Sequence, residues 1–153
     1  MASARGFANH SLYMAQVQLA AWRERVQDTS DSNNAVIDAA FAPAVRLHLL
    51  DAYGWFLLAM LRVSSLPATP PHRVSELPAQ HQGLAVSAEI EEYARLELSG
   101  WLADLQSPIP AGVRQQQKGV LAAQRGHGYA NYEMWIEAFA QLFTRMGDIS
   151  EEY

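Results

Sequence analysis

Ala35 to Val63 reads AVIDAAFAPAVRLHLLDAYGWFLLAMLRV, a stretch nearly all apolar or small. It is long enough for the central helix of a bundle, buried over much of its circumference. Pro43 lies inside it and removes a backbone donor, which predicts a kink or a break into two helices near Phe41. Leu50, Tyr53, Leu57 and Leu61 form one stripe along this helix. His48, Asp51, Trp55, Ala59 and Arg62 form a second, offset around the axis. The charge-free run from Ala52 to Leu61 is much shorter than the roughly 20 apolar residues of a membrane span, so no membrane association is expected.

Upstream, Leu12, Ala15, Leu19, Trp22 and Val26 recur at steps of three and four, predicting a first helix from about Asn9 to Gln27. The run Asp28 to Asn34 is rich in short polar side chains that compete for backbone hydrogen bonds, so it reads as a turn ending in an N-cap. Downstream, Pro67, Pro70, Pro71 and Pro78 make Ser64 to Gly83 a long surface connection. Ser87 can cap a third helix from about Ala88 to Gln106, with a core stripe of Ile90, Ala94, Leu98, Trp101 and Leu105 and with Ser99-Gly100 inside it; Pro108 and Pro110 stop it. Ala111 to Ala130 reads as mobile, interrupted by Gly126 and Gly128. A last helix, about Asn131 to Gly147, sets Tyr132, Ile136, Phe139, Phe143 and Met146 opposite Glu133, Glu137, Gln141, Thr144 and Asp148. No alternating strand pattern intervenes. The expectation is an all-α, four- to five-helix, mainly antiparallel bundle with a long Pro-rich connection between helices two and three. It forms a single domain, residues 1–153, with an ordered core over about 9–147.

Composition narrows the function classes. Half of the 153 residues are hydrophobic and 18% are charged, which suits a sizeable core rather than a disordered chain. Eleven basic against sixteen acidic residues leave a net charge of −5, so no nucleic-acid partner is expected. The chain has no Cys, which excludes disulfides and thiolate metal sites. Residues 1–10 have no apolar stretch resembling a secretory signal, so export is not expected and a cytoplasmic setting is.

Three constellations carry chemistry. His48 and Asp51 are three apart on one helix, where a carboxylate can orient an imidazole for base or ligand work, with His10, His127 or Glu133 completing a site. The plainer reading is a structural polar contact, and no His-x-x-x-His or Glu-x-x-His metal pattern occurs, so no metal or cofactor is assigned. Arg114, Lys118, Arg125 and His127 form a basic segment before the last helix, suited to a phosphate or acidic group, although the Walker pattern is absent and a solvated flexible loop is the favoured reading. Trp55 and Trp135 fall off the cleanest stripes and are candidates for an exposed patch where a partner or second copy docks.

The string Asn9-x-Ser11-Leu12-Tyr13-x-Ala15 with Leu19 and Trp22, then Leu47-His48-Leu49, Ala52-Tyr53 and Phe56-Leu57, resembles an uncharacterised family of short gammaproteobacterial proteins common in pseudomonads. The resemblance runs from about Asn9 to Met146 and implies an all-helical bacterial cytoplasmic protein, with no activity or catalytic residue to carry over. The leading expectation is a non-enzymatic interaction module, a homodimer engaging a protein partner beside Trp55. The alternatives are a small metal-assisted hydrolase or transferase centred on His48 and Asp51, and an anion or nucleotide sensor at residues 114–128.

Overall fold

A computed structural model describes residues 2–27, 34–78, 88–111 and 128–151. Five α-helices and one 3-10 turn make up the regular structure of these residues, and no strand occurs among them: α1 (Ala4–Gln27), α2 (Asn34–Met60), η1 (Val74–Glu76), α3 (Ala88–Ser99), α4 (Trp101–Gln106) and α5 (Tyr129–Glu151). The all-α bundle expected from the sequence is what forms. No helix among the described residues is long and apolar enough to cross a membrane.

α1 begins at Ala4, five residues before the predicted start, because Ser3 caps it: the Ser3 hydroxyl accepts the Gly6 N–H at 3.0 Å. Buried Ala4, Ala8, Ser11 and Ala15 give α1 a narrow edge, and its pairing with α2 is the most extensive in the molecule. The two helices run antiparallel, since Trp22 meets Phe41 near one end and Phe7 meets Trp55 near the other. At the first end, the Trp22 indole N–H donates to Asp38 at 3.0 Å.

α2 passes Pro43 without breaking into two helices. Pro43 is exposed, so the hydrogen bond it forfeits falls on the solvent side, where its cost is lowest. The helix stops at Arg62, whose φ of 55° is left-handed. The Arg62 N–H bonds the Ala59 carbonyl at 3.1 Å and the Val63 N–H bonds the Leu58 carbonyl at 3.3 Å, which is the Schellman pattern with arginine in the position glycine usually takes.

The predicted third helix is two helices. Gly100 is extended, with φ −115° and ψ −162°, and a Cβ there would sit 2.6 Å from Leu96 Cδ2. The buried face of α3 runs through Ile90 and Tyr93, with Leu96 half-buried, so Leu98, placed in the core stripe by a single period drawn through to Trp101, is 84% exposed; beyond the break Leu102 and Leu105 are buried. α3 and α4 run antiparallel to α2: Tyr93 meets Phe56, and Arg46 reaches the end of α4. α5 runs parallel to α2, since Tyr53 meets Phe139 and Phe56 stacks on Phe143 at 5.1 Å. α1, α3 and α4 in one direction and α2 and α5 in the other enclose an aromatic core of Tyr53, Phe56, Tyr132, Phe139 and Phe143.

Trp55 and Trp135 belong to this core, contrary to the expectation of an exposed patch. Trp55 is 8% exposed, with the Phe7 ring 4.9 Å away, and Trp135 is 3% exposed against Tyr132. The Asp28 to Asn33 part of the first turn and residues 112–127 of the mobile segment lie outside the described residues.

Candidate functional site

Residues 61–78 lie over α2 as a strap. The face beneath it is set by helical spacing: Leu47, Leu50 and Asp51, Gly54, and Leu58 fall three and four apart. Gly54 makes the close approach possible, because a Cβ there would come within 1.7 Å of the Pro71 carbonyl oxygen. Pro71 is buried in consequence, so the Pro-rich connection is not wholly a surface segment as its composition suggested.

Three ties fasten the strap. His72, next after Pro71, is held at three points. Its N–H donates to Glu76 at 2.9 Å, its carbonyl accepts from Gln106 Nε2 at 2.8 Å, and its ring Nε2 lies 2.8 Å from Asp51 Oδ1. Two residues on, the Val74 N–H donates to Glu97 Oε2 at 2.9 Å. The same oxygen accepts the Tyr53 hydroxyl at 2.6 Å. Burial, joined by the adjacent carboxylate, pushes the Tyr53 phenol far above its ordinary range and keeps it a donor.

The third tie brings two arginines together. Arg46, on α2, donates from Nε to the Leu105 carbonyl at 3.1 Å and from Nη2 to the Gln106 carbonyl at 2.8 Å, placing a cation on the last carbonyls of α4. Arg73, on the strap, reaches the Gln106 side-chain oxygen at 3.4 Å. An open cleft of about 190 Å³ forms between α2, the strap and the end of α4, lined by Arg46, Leu47, Leu50, His72, Arg73, Glu76 and Gln106. A second, of about 270 Å³, lies on the other side of Glu76 among Leu58, Pro67, Thr69, Pro70, Pro71 and Pro78.

Asp51 does orient an imidazole, as the sequence suggested, but the imidazole is that of His72 rather than His48. A pairing across 21 residues has no local periodicity to announce it. His48 remains half-buried on α2 and His10 is exposed on α1, and no group of three potential metal-ligating side chains converges among the described residues. Glu133 is exposed and pairs with Arg23 at 3.0 Å, tying α5 to α1. His127, Arg114, Lys118 and Arg125 lie outside the described residues. The residues that build the cleft, Arg46, His72, Arg73, Glu76 and Gln106, were not singled out by motif. The one legible signal was Gly54, a glycine in an otherwise apolar helix, which marks close approach of another backbone.

No family model, no curated protein and no solved structure matches the chain, so no residue of this site takes a role from a relative.

Proposed function

We propose that the protein is a non-enzymatic interaction module whose binding face is the strap side of α2. The observation that carries this reading is the three-point clamp on His72, by Asp51, Glu76 and Gln106. The groups that acid–base chemistry would recruit are committed to holding the strap, and a surface fixed in advance binds with less ordering cost. Self-association beside Trp55 is not part of the proposal, because Phe7 covers that ring. The setting proposed with it is a bacterial cytoplasm, which the resemblance in α1 and α2 supports.

A stability and turnover comparison tests the reading. His72→Ala and Asp51→Ala should each destabilise the fold by about 1–3 kcal/mol and should be coupled in a double-mutant cycle. Neither parent nor variant should turn over a panel of carboxylic and phosphoric esters, with or without added divalent metal. Turnover by the parent that His72→Ala abolishes without loss of stability would overturn the proposal.

A further inference from the structure

We infer that the cleft between α2, the strap and the end of α4 is an oxyanion site, in which Arg46 and Arg73 grip a phosphate or carboxylate group. This rests on the proposal that the strap side is a binding face, and adds the chemistry of what binds.

Two guanidinium groups converge on one residue. Arg46 is anchored on the main-chain oxygen of Gln106 and Arg73 on its side-chain oxygen, and both line the same cleft. Gln106 is 5% exposed, so the anchor is a fixed point rather than a surface side chain. Every acceptor recorded for the two arginines is a neutral oxygen. Neither arginine takes part in the ion pairs of Arg23 with Glu133 and of His72 with Asp51.

Of the nearby carboxylates, Asp51 is paired with the His72 ring, and Glu76, which lines the cleft, accepts the His72 N–H on Oε2 and keeps its charge there. Two like charges thus share one cleft, in a chain of net charge −5, and neither is in an ion pair among the described residues. A guanidinium is a planar fork of five donors matched to phosphate and carboxylate oxygens. Arg46 has spent Nε and Nη2, and Arg73 has spent one Nη1 donor, which leaves donors on both for a ligand. A volume of about 190 Å³ holds an oxyanion and a short substituent, below the roughly 300 Å³ at which pockets for drug-sized molecules begin.

The test is calorimetric titration and thermal unfolding of the full chain with inorganic phosphate, glycerol phosphate and succinate, at ionic strength matched with sodium chloride. Arg73→Gln and Arg46→Gln are carried alongside. Arg73 is exposed, so its variant should fold as the parent does. At least one of the three anions should bind saturably and raise the melting temperature, by mass-action stabilisation of the folded state. Arg73→Gln should weaken that binding at least tenfold. A preference for either phosphate over succinate identifies the phosphoryl group as the ligand chemistry, and the reverse identifies the carboxylate. No saturable binding by any of the three, or equal binding by parent and Arg73→Gln, overturns the oxyanion site. That failure leaves the interaction-module reading standing if the ester panel is inert, whereas His72-dependent turnover overturns that reading whatever the anions do.

Discussion

Gly54 of α2 and Pro71 of the strap approach so closely that the smallest possible side chain at residue 54 would fall 1.7 Å from the Pro71 carbonyl oxygen. In an ordinary helix interior, Gly→Ala adds roughly 0.5–1 kcal/mol of stability. Here the sign should reverse. Gly54→Ala is expected to lift the strap and to cost about 1–3 kcal/mol through overpacking, read as a lower urea midpoint. A variant as stable as the parent would show that the strap does not seat there.

Glu97 serves two donors with one oxygen, the Tyr53 hydroxyl and the Val74 N–H. Glu97→Ala leaves both without an acceptor in a part-buried place, an expected loss of about 2–3 kcal/mol. Glu97→Gln keeps a carbonyl oxygen there and should lose less than half as much. Equal losses for the two variants would show that charge, rather than the acceptor, matters at this position. Chemical denaturation of both distinguishes these outcomes.

Asp38 accepts the Trp22 indole N–H, yet burial outweighs that bond and raises its carboxyl above the ordinary value of 3.8. A raised carboxyl binds its proton more tightly folded than unfolded. Stability from this group is therefore fully present below about pH 4 and falls as pH rises through the folded value. Asp38→Asn keeps the acceptor without the charge. The variant should gain on the parent as pH rises from 4 to 7 in paired denaturation curves, and a constant difference across that range would contradict the assignment.

Two buried phenols set the alkaline limit. Burial pushes Tyr132 up to about 12 from an ordinary 10.0, and Tyr53 higher still. The unfolded chain ionises first, so stability is lost as pH rises past 10, through 12 and beyond. The absorbance of the Tyr53 and Tyr132 phenolates should appear together with unfolding and not before it. Tyr132→Phe should reduce the slope of stability against pH between 10 and 12.

The helices were legible where one face repeats and others do not. Leu12, Ala15 and Trp22 on α1, and Tyr132, Ile136, Phe139 and Phe143 on α5, are buried as their spacing required. Trp55 and Trp135 were misplaced because single stripes were drawn on helices that are covered more broadly. From Ala52 to Leu58 every residue of α2 is buried, so no offset stripe remains for a partner. On α5, Trp135 and Leu142 widen the buried arc on one side. The cleft was illegible for another reason. Its ties join Asp51 to His72, Val74 to Glu97 and His72 to Gln106, across 21, 23 and 34 positions. No pattern within one helix says which histidine a given aspartate will meet.

Those separations also order events in time. α1 and α2 are neighbours in the chain and share the largest pairing, and closing a short loop is entropically cheap. The strap's ties to Glu97 and Gln106 can form only after α3 and α4 have come to lie beside α2, so its full closure belongs to the late, slow side of assembly. Weakening its ties at His72 or Glu97 should then quicken unfolding while leaving the refolding rate almost untouched. A strap that is the last part to close is also the first to open, with the paired helices beneath it still intact.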